Sequence, residues 1–351
     1  MFDYYFPVLP VEIDKEIRWA YRGGFTYLNP KFANVQNVAG IVLDVNSEYP
    51  YILHDKPLPV GYPVFFEGEP ENDPRFPLYI CRCQFSFEIK PDHVPAIQLK
   101  HTFMFRQNEY LTTSNGEIIE TYLTNIDLEL IKEQYELFDF KIIKGWRFQA
   151  KTGIFSKYID HYYEIKRNSK GALREMAKLM LNSAYGKTGM NPVRYNKEPF
   201  LAPDGVVHYK LSDTPEIVDP VYTAHAAFVT AYGRDLIIRA AQANYDRFIY
   251  SDTDSCHLLG FDEPNGIKIH PTDLGAFKIE ETFTDGLYIR QKTYMHTVDG
   301  EIVVKCAGMP DDCKKQVTYD NFKIGQKYYG KLLHKNVPGG VILYKGYFTI
   351  N

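Results

Sequence analysis

Residues Arg247–Leu259 read Arg-Phe-Ile-Tyr-Ser-Asp-Thr-Asp-Ser-Cys-His-Leu-Leu, two short apolar arms around an acidic centre. No other stretch constrains the fold as tightly. The arms require burial, the centre requires water or a counter-charge, and so short a polar interval between apolar runs predicts a β-hairpin. Asp252 and Asp254 repel each other at its tip unless solvent or a divalent cation screens them, and oxygen-only ligation is what hard Mg²⁺ prefers. A solvated turn is the plain alternative, because Asp and Ser are common turn formers. In a second segment, Gly40-Ile-Val-Leu-Asp-Val-Asn-Ser-Glu-Tyr-Pro50, an apolar strand delivers Asp44 at its end and a turn follows. Were the two segments to meet, Asp44, Asp252 and Asp254 would cage two Mg²⁺ ions, an arrangement that stabilises both the attacking and the leaving oxygen in phosphoryl or nucleotidyl transfer.

Elsewhere, strands and helices are interspersed without a regular βαβ rhythm, which predicts an α+β fold rather than a doubly wound sheet. The first hundred residues, rich in Pro, aromatic and β-branched types, read as strands and loops. Residues 125–138 carry helical periodicity behind an Asn-type cap, 158–185 form the longest helical signal with an interruption at 168–171, and 221–245 read as a further helix. The Pro-rich stretch 190–220 reads as loop or hairpin, and the C-terminal segment as a Lys-rich β-like tail. A chain of 351 residues suits about two domains, and 45% apolar with 24% charged residues excludes wholesale disorder. No apolar run approaches the roughly 18 residues of a membrane span, and the N-terminus lacks a secretory pattern. Five cysteines, an odd number, fit ordinary thiols in a reducing compartment, and Cys81-x-Cys83 stands too alone for zinc.

The net charge of −4 argues against a wholly basic nucleic-acid clamp, yet residues 301–351 hold eight Lys, no Arg and four acids. The 28 Tyr and 23 Phe suit base stacking and β-rich packing alike. One helix carries a sharper signal. At about 100° per residue, Lys170, Arg174, Lys178, Asn182 and Tyr185 fall on one face, while Leu173, Met176, Ala177, Met180 and Ala184 cluster roughly opposite and Leu181 breaks the pattern. That predicts an apolar back and a basic front able to hold a triphosphate. A solvated charged face is the usual fate of such a stripe, but no acidic partner stands within it.

Three of these segments, taken in order, carry a family resemblance. Asp-Val-Asn-Ser-Glu-Tyr-Pro (44–50), Lys-Leu-Met-Leu-Asn-Ser-Ala-Tyr-Gly (178–186) and Tyr-Ser-Asp-Thr-Asp-Ser (250–255) resemble motifs A, B and C of family B DNA polymerases. Tyr21-Arg22-Gly23-Gly24, Thr230-Ala-Tyr-Gly233-Arg234, Lys292-Thr293-Tyr294, Lys305-Cys-Ala-Gly-Met309 and the Val337-Pro-Gly-Gly340 ending are similar to elements of the protein-primed branch found in small tailed bacteriophages. The resemblance covers nearly the whole chain.

It implies a right-hand fold: palm at 1–98 and 221–304, a terminal-protein-region insertion at 99–153, fingers at 154–189, a second insertion at 190–220 and a thumb at 305–351. It implies a DNA-directed DNA polymerase extending a primer 3′-hydroxyl, or a terminal-protein hydroxyl, by two-metal chemistry. Asp44 and Asp254 would be the main ligands of two Mg²⁺ ions, with Mn²⁺ a substitute, Asp252 would support them, and the backbone at Val45 would touch metal or phosphate. Lys166 and Lys178 would grip the triphosphate, with Arg174 a weaker contributor. Tyr49 would exclude a 2′-hydroxyl, and Asn182 and Tyr185 would seat the nascent base pair. Tyr21, Arg22, Gly23 and Gly24 would meet the primer duplex, and Thr230, Gly233 and Arg234 the template. Lys292, Thr293, Tyr294 and Lys305 would meet the primer strand and duplex, while the role of Glu280 stays open. The partners implied are primer-template DNA, deoxynucleotides and a terminal priming protein, with no membrane, for a monomer in the bacterial host cytoplasm. Only Asp3, Glu12, Asp14 and Glu16 precede the Tyr21 element, none in the strand context of a proofreading site, so an exonuclease domain is expected to be absent. Two other readings compete: an inactive remnant that binds DNA or the priming protein, and a metal-dependent Asp-x-Asp glycosyltransferase, which leaves the basic helix unexplained.

Overall fold

In the computed structural model, which describes residues 2–98 and 109–351, the acid-tipped segment is a β-hairpin inside a larger antiparallel sheet. In chain order, α1 (Phe2–Tyr5) and α2 (Val11–Arg18) precede β1 (Thr26–Leu28), β2 (Val38–Val45) and α3 (Glu48–Asp55). Next come β3 (Leu58–Glu67), β4 (Leu78–Ile89), β5 (Ile119–Thr124), α4 (Asn125–Gln134) and β6 (Tyr135–Lys151). Helices α5 (Ser156–Asn168) and α6 (Gly171–Gly186) lead to β7 (Val193–Arg194), β8 (Lys197–Leu201), β9 (Val207–Leu211) and β10 (Glu216–Ile217). The remainder is α7 (Thr223–Ala243), β11 (Phe248–Asp252), β12 (Ser255–Leu259), β13 (Phe277–Arg290), β14 (Thr293–Val298), β15 (Glu301–Cys306), α8 (Asp311–Lys314), β16 (Lys327–Val337) and β17 (Gly340–Thr349). The class is α+β.

Two compact units emerge. The first comprises Met1–Asn29, Gly40–Met190 and Asp219–Thr282. It holds two sheets. One orders β1-β11-β12-β2 with the start of β13 next to β2, and the other orders β3-β6-β4-β5. The second sheet draws β3 and β4 from before residue 99 and β5 and β6 from the 99–153 segment, so that segment shares a sheet with what precedes it. Its residues 99–108 lie outside the described residues. Between the sheets runs α7, rich in Ala and buried on nearly every side, as a helix without a polar face must be. Its small side chains admit close neighbours: a Cβ on Gly233 would stand 3.3 Å from the Glu48 carboxylate.

The second unit comprises Pro30–Ala39, Asn191–Val218 and Phe283–Asn351. Its core gathers Leu287, Ile289, Met295, Cys306, Met309, Phe322 and Tyr328. Two hairpins stand out, β8–β9 with all residues exposed and β16–β17 with most residues beyond Gly330 exposed or half-exposed. All five cysteines of the chain are free and buried.

Three expectations need correction and a fourth is met. Helix α4 stops at Gln134, because Tyr135 turns extended and begins β6, and its cap is Thr124, whose Oγ1 accepts from Asp127 N at 3.1 Å. The turn expected after Asp44 is present at Asn46 and Ser47, the latter left-handed with φ of 56°, and it leads into α3. The first hundred residues also hold α2. Finally, α6 buries only Ala177 and Leu181, while Leu173 and Met176 of its supposed apolar back are exposed. Ala177 and Leu181, four apart, pack inward and turn the basic stripe sideways along a cavity wall.

Candidate active site

The pairing of β2 with β12 builds the acidic floor. Its register sets Ser255 opposite Asp44, and Val45 N donates to Asp254 O at 2.9 Å, so residues far apart in the chain become neighbours. The tight turn of the β11–β12 hairpin, with Thr253 at φ of 65°, swings Asp254 back beside Asp44. Asp252, at the end of β11, accepts from Thr26 Oγ1 of β1 at 3.0 Å. The expected convergence of three carboxylates is therefore incomplete, with Asp44 and Asp254 lining one cavity and Asp252 held toward β1. The division is lateral and not one of face: the registers set Thr26, Asp252, Ser255 and Asp44 side by side on one face, with β12 between Asp252 and Asp44, and Asp252 bonds its outer neighbour.

Negative charge accumulates here. Burial, then Asp44, Asp252 and Glu280, pushes the Asp254 carboxyl up to about 6. Burial also raises Asp44, against the pull of Lys278, whose Nζ donates to Asp44 Oδ1 at 2.8 Å and lies 3.5 Å from Glu280. Glu48 is buried with neither carboxylate oxygen partnered among the described residues, and burial, reinforced by Asp254 and Asp44, holds its proton strongly. Among the described residues, no three His, Cys, Asp or Glu side chains form a ready metal-ligating group. The donor chemistry nonetheless fits a hard divalent cation: carboxylate oxygens whose charges oppose one another, with no His or Cys among the residues lining the cavity.

Opposite this floor stands a cationic wall. A cavity of about 560 Å³ lies between Asp44, Val45, Glu48, Tyr49 and Asp254 on one side and Lys166, Arg174, Lys178, Asn182 and Tyr185 of α5 and α6 on the other. Lys166 Nζ donates to Ser47 Oγ at 2.6 Å. Burial, followed by Arg174, Lys178 and Lys278, lowers the Lys166 ammonium, the mark of cations gathered without enough anions. Tyr49 and Tyr185 close one end, ring centroids 4.3 Å apart at 50°. A neighbouring cavity of about 400 Å³ shares Asp44, Ser47, Lys166, Arg174 and Lys278 and adds Arg167. Sequence reasoning missed Lys278 and Ser47. The alternation Lys278-x-Glu280 at the start of a strand was the one available signal for Lys278.

The residues expected at DNA divide in two. In the first unit, Tyr21–Gly24 packs on the hairpin tip, where a Cβ on Gly24 would meet Thr253 at 2.8 Å. Arg22, Thr230 and Arg234 are buried, and this corrects their expected direct contact with DNA. Arg22 Nη2 donates to Thr121 Oγ1 and Tyr122 O, Thr230 Oγ1 donates within α7, and Arg234 donates to Asp127 and to the carbonyls of Arg22 and Gly23. These side chains shape the loop from within. In the second unit, Lys292 is exposed at the β13–β14 turn with φ of 57°, Thr293 is buried, Tyr294 stacks on Tyr288 at 5.1 Å, and exposed Lys305 pairs in register with Tyr294. Asp14 and Glu16, among the early acids, serve packing: Asp14 bonds Arg18 and Thr223, and Glu16 bonds Lys144 and Trp146.

A family profile, DNA polymerase type B, organellar and viral, matches residues 2–270. The chain belongs to this family. It is 46% identical to the DNA polymerase of Bacillus phage B103, covering 99% of this chain and 64% of that one. It is 35% identical to the DNA polymerase of Streptococcus phage Cp-1, over 88% of this chain and 56% of that one. The structure of phi29 DNA polymerase complexed with primer-template DNA and incoming nucleotide superposes with a TM-score of 0.96 at 44% identity, covering 100% of this chain and 64% of that one. The α+β polymerase fold of this family therefore extends through the chain, which spans about 64% of the length of relatives such as the B103 enzyme. Among the described residues no helix is long and apolar enough to cross a membrane.

Proposed function

We propose that this chain is a template-directed DNA polymerase that adds deoxynucleotides to a primer 3′-hydroxyl, or to the hydroxyl of a terminal protein. The observation that carries this reading is the pairing of Asp44 and Asp254 across one cavity from Lys166, Arg174 and Lys178. Nucleotidyl transfer needs anionic oxygens for cations on one side and cations for phosphates on the other. The likeness to a polymerase solved with primer-template and incoming nucleotide favours the same ligands here.

Asp44, Asp254 and the backbone at Val45 would hold Mg²⁺, or Mn²⁺ in its place, which when bound supplies acidification of the attacking hydroxyl and charge neutralisation on the leaving pyrophosphate. Asp252 steadies the hairpin that carries Asp254 through its bond from Thr26. Lys178, Lys166 and Arg174 grip the triphosphate. Tyr49 lies under the sugar and leaves no room for a 2′-hydroxyl, and Tyr185 with Asn182 seats the base pair. Lys292, Thr293, Tyr294 and Lys305 hold the primer strand, while Tyr21–Gly24, Thr230, Gly233 and Arg234 form the duplex and template path as a braced scaffold. The palm, fingers and thumb follow as 1–98 with 221–304, 154–189 and 305–351, and 99–153 and 190–220 are the two insertions, the first meeting the priming protein. The enzyme acts as a monomer in the cytoplasm of a phage-infected cell.

Primer extension with labelled deoxynucleotides is the test. Asp254→Asn should lower the rate about a hundredfold or more, since it removes several kcal/mol of transition-state stabilisation. Equal rates for variant and parent, or sugar-nucleotide hydrolysis in place of extension, would overturn the reading.

A further inference from the structure

Lys278 stands where the acidic floor most needs a cation. Two residues apart on one strand, Lys278 and Glu280 leave the same face of β13, and Lys278 Nζ bonds Asp44 Oδ1 at 2.8 Å while staying 3.5 Å from Glu280. Its side chain is one-third exposed and lines both cavities, the one bearing Lys178 and the one bearing Arg167. An ammonium on a four-carbon stem is a point charge with three donors, and it changes partners by rotamer alone. Two demands conflict at this position. Sharing Asp44 between Lys278 and a divalent ion brings two cations together on one carboxylate, and a second cation beside Lys166, Arg174 and Lys278 raises their mutual repulsion. A nucleotide triphosphate removes both conflicts, because its oxygens offer Lys278 new acceptors along the wall it already faces.

We propose that Lys278 is an exchangeable counter-ion: it pairs with Asp44 before substrate arrives, yields that oxygen to a divalent cation, and re-pairs with the phosphates of the incoming nucleotide. The inference rests on the nucleotidyl-transfer reading and adds to it a cation that competes with metal and cooperates with substrate. Competition and cooperation have opposite signatures in one variant, so a merely structural lysine cannot imitate them.

The experiment follows Mn²⁺ binding to the full chain by the loss of the free-ion paramagnetic resonance signal, without primer, and deoxynucleotide binding separately by KM in primer extension. Lys278→Met keeps the stem and removes the charge. Without nucleotide it should bind Mn²⁺ about fivefold more tightly than the parent, the scale of one partly exposed ion pair. Its KM for deoxynucleotide should rise about tenfold, the scale of one lost phosphate contact, and Lys278→Arg should restore it. Weaker or unchanged Mn²⁺ binding in Lys278→Met, or an unchanged KM, would overturn the proposal. A parent that extends primers while Lys278→Met binds Mn²⁺ no better would sink this inference alone. A parent that neither binds Mn²⁺ nor extends primers would sink both readings.

Discussion

His225 shows how one side chain on the buried helix α7 ties stability to pH. Its ring packs against Phe6 and Phe155 with centroids 5.3 and 5.4 Å away, Nδ1 meets Thr188 Oγ1 at 3.2 Å, and Nε2 has no partner among the described residues. Burial pushes the imidazole down to about 3. The unfolded chain titrates near 6.5, so in the window between those values the unfolded state takes up a proton that the folded state refuses, and stability falls as pH falls. Moving from near pH 7.5 to pH 5 should cost about 2 kcal/mol through this group. Asp254, raised in the fold, pulls the opposite way, so the comparison must be made between variants. In urea melts at both pH values, His225→Phe should lose about 2 kcal/mol less than the parent over that interval. An identical pH dependence would contradict the assignment. At this scale Asp44 and Asp254 stood out as acids at the ends of apolar strands, a pattern that a solvated turn also gives, and it is the β2–β12 register that makes them neighbours. The inward turn of Arg22 and Arg234 was not legible, because a buried arginine and a DNA-facing one look alike until Asp127 is found beside the guanidinium.

Between elements, the geometry of the acidic floor depends on how closely β2 and β12 approach. A Cβ on Gly40 would lie 1.9 Å from Leu258 O, backbone that cannot yield. Gly40→Ala should therefore cost about 2–4 kcal/mol and disturb the register that sets Asp44 beside Asp254. Gly340→Ala, which meets nothing within 4 Å, should stay within about 0.5 kcal/mol. Chemical denaturation of the two variants checks both figures, and a stable Gly40→Ala would show that the strands can part without harm. Periodicity located α5, α6 and α7 because long helices repeat their signal. It misjudged the inner side of α6, where Leu173, Met176 and Leu179 remain outside and Ala177 and Leu181 go in. Apolar character alone does not say which side of a helix beside a cavity is covered. The end of α4 was hidden for another reason: Tyr135 continues the helical pattern but belongs to a strand seventeen residues long.

For the molecule as a whole, burial is uneven. Among the described residues the first unit holds three clusters of buried apolar residues and the second holds one, and the β8–β9 hairpin is wholly exposed. Backbone hydrogen bonds with no apolar cover open at low free energy. Amide exchange followed by mass spectrometry should therefore show β8–β9 and the distal part of β16–β17 exchanging first, with α7, β11 and β12 last. Protection of β8–β9 equal to that of α7 would contradict this order. The α+β class could be read in advance from the missing βαβ rhythm, but the border between the two units could not. Strand β13 passes from one to the other at Thr282 and Phe283 with no change of composition to mark the border. The sequestered sulfurs carry a practical corollary. A maleimide dye added to the folded chain should find no reactive handle, so one engineered surface thiol would give a singly tagged molecule, and the native five would report the moment it comes apart.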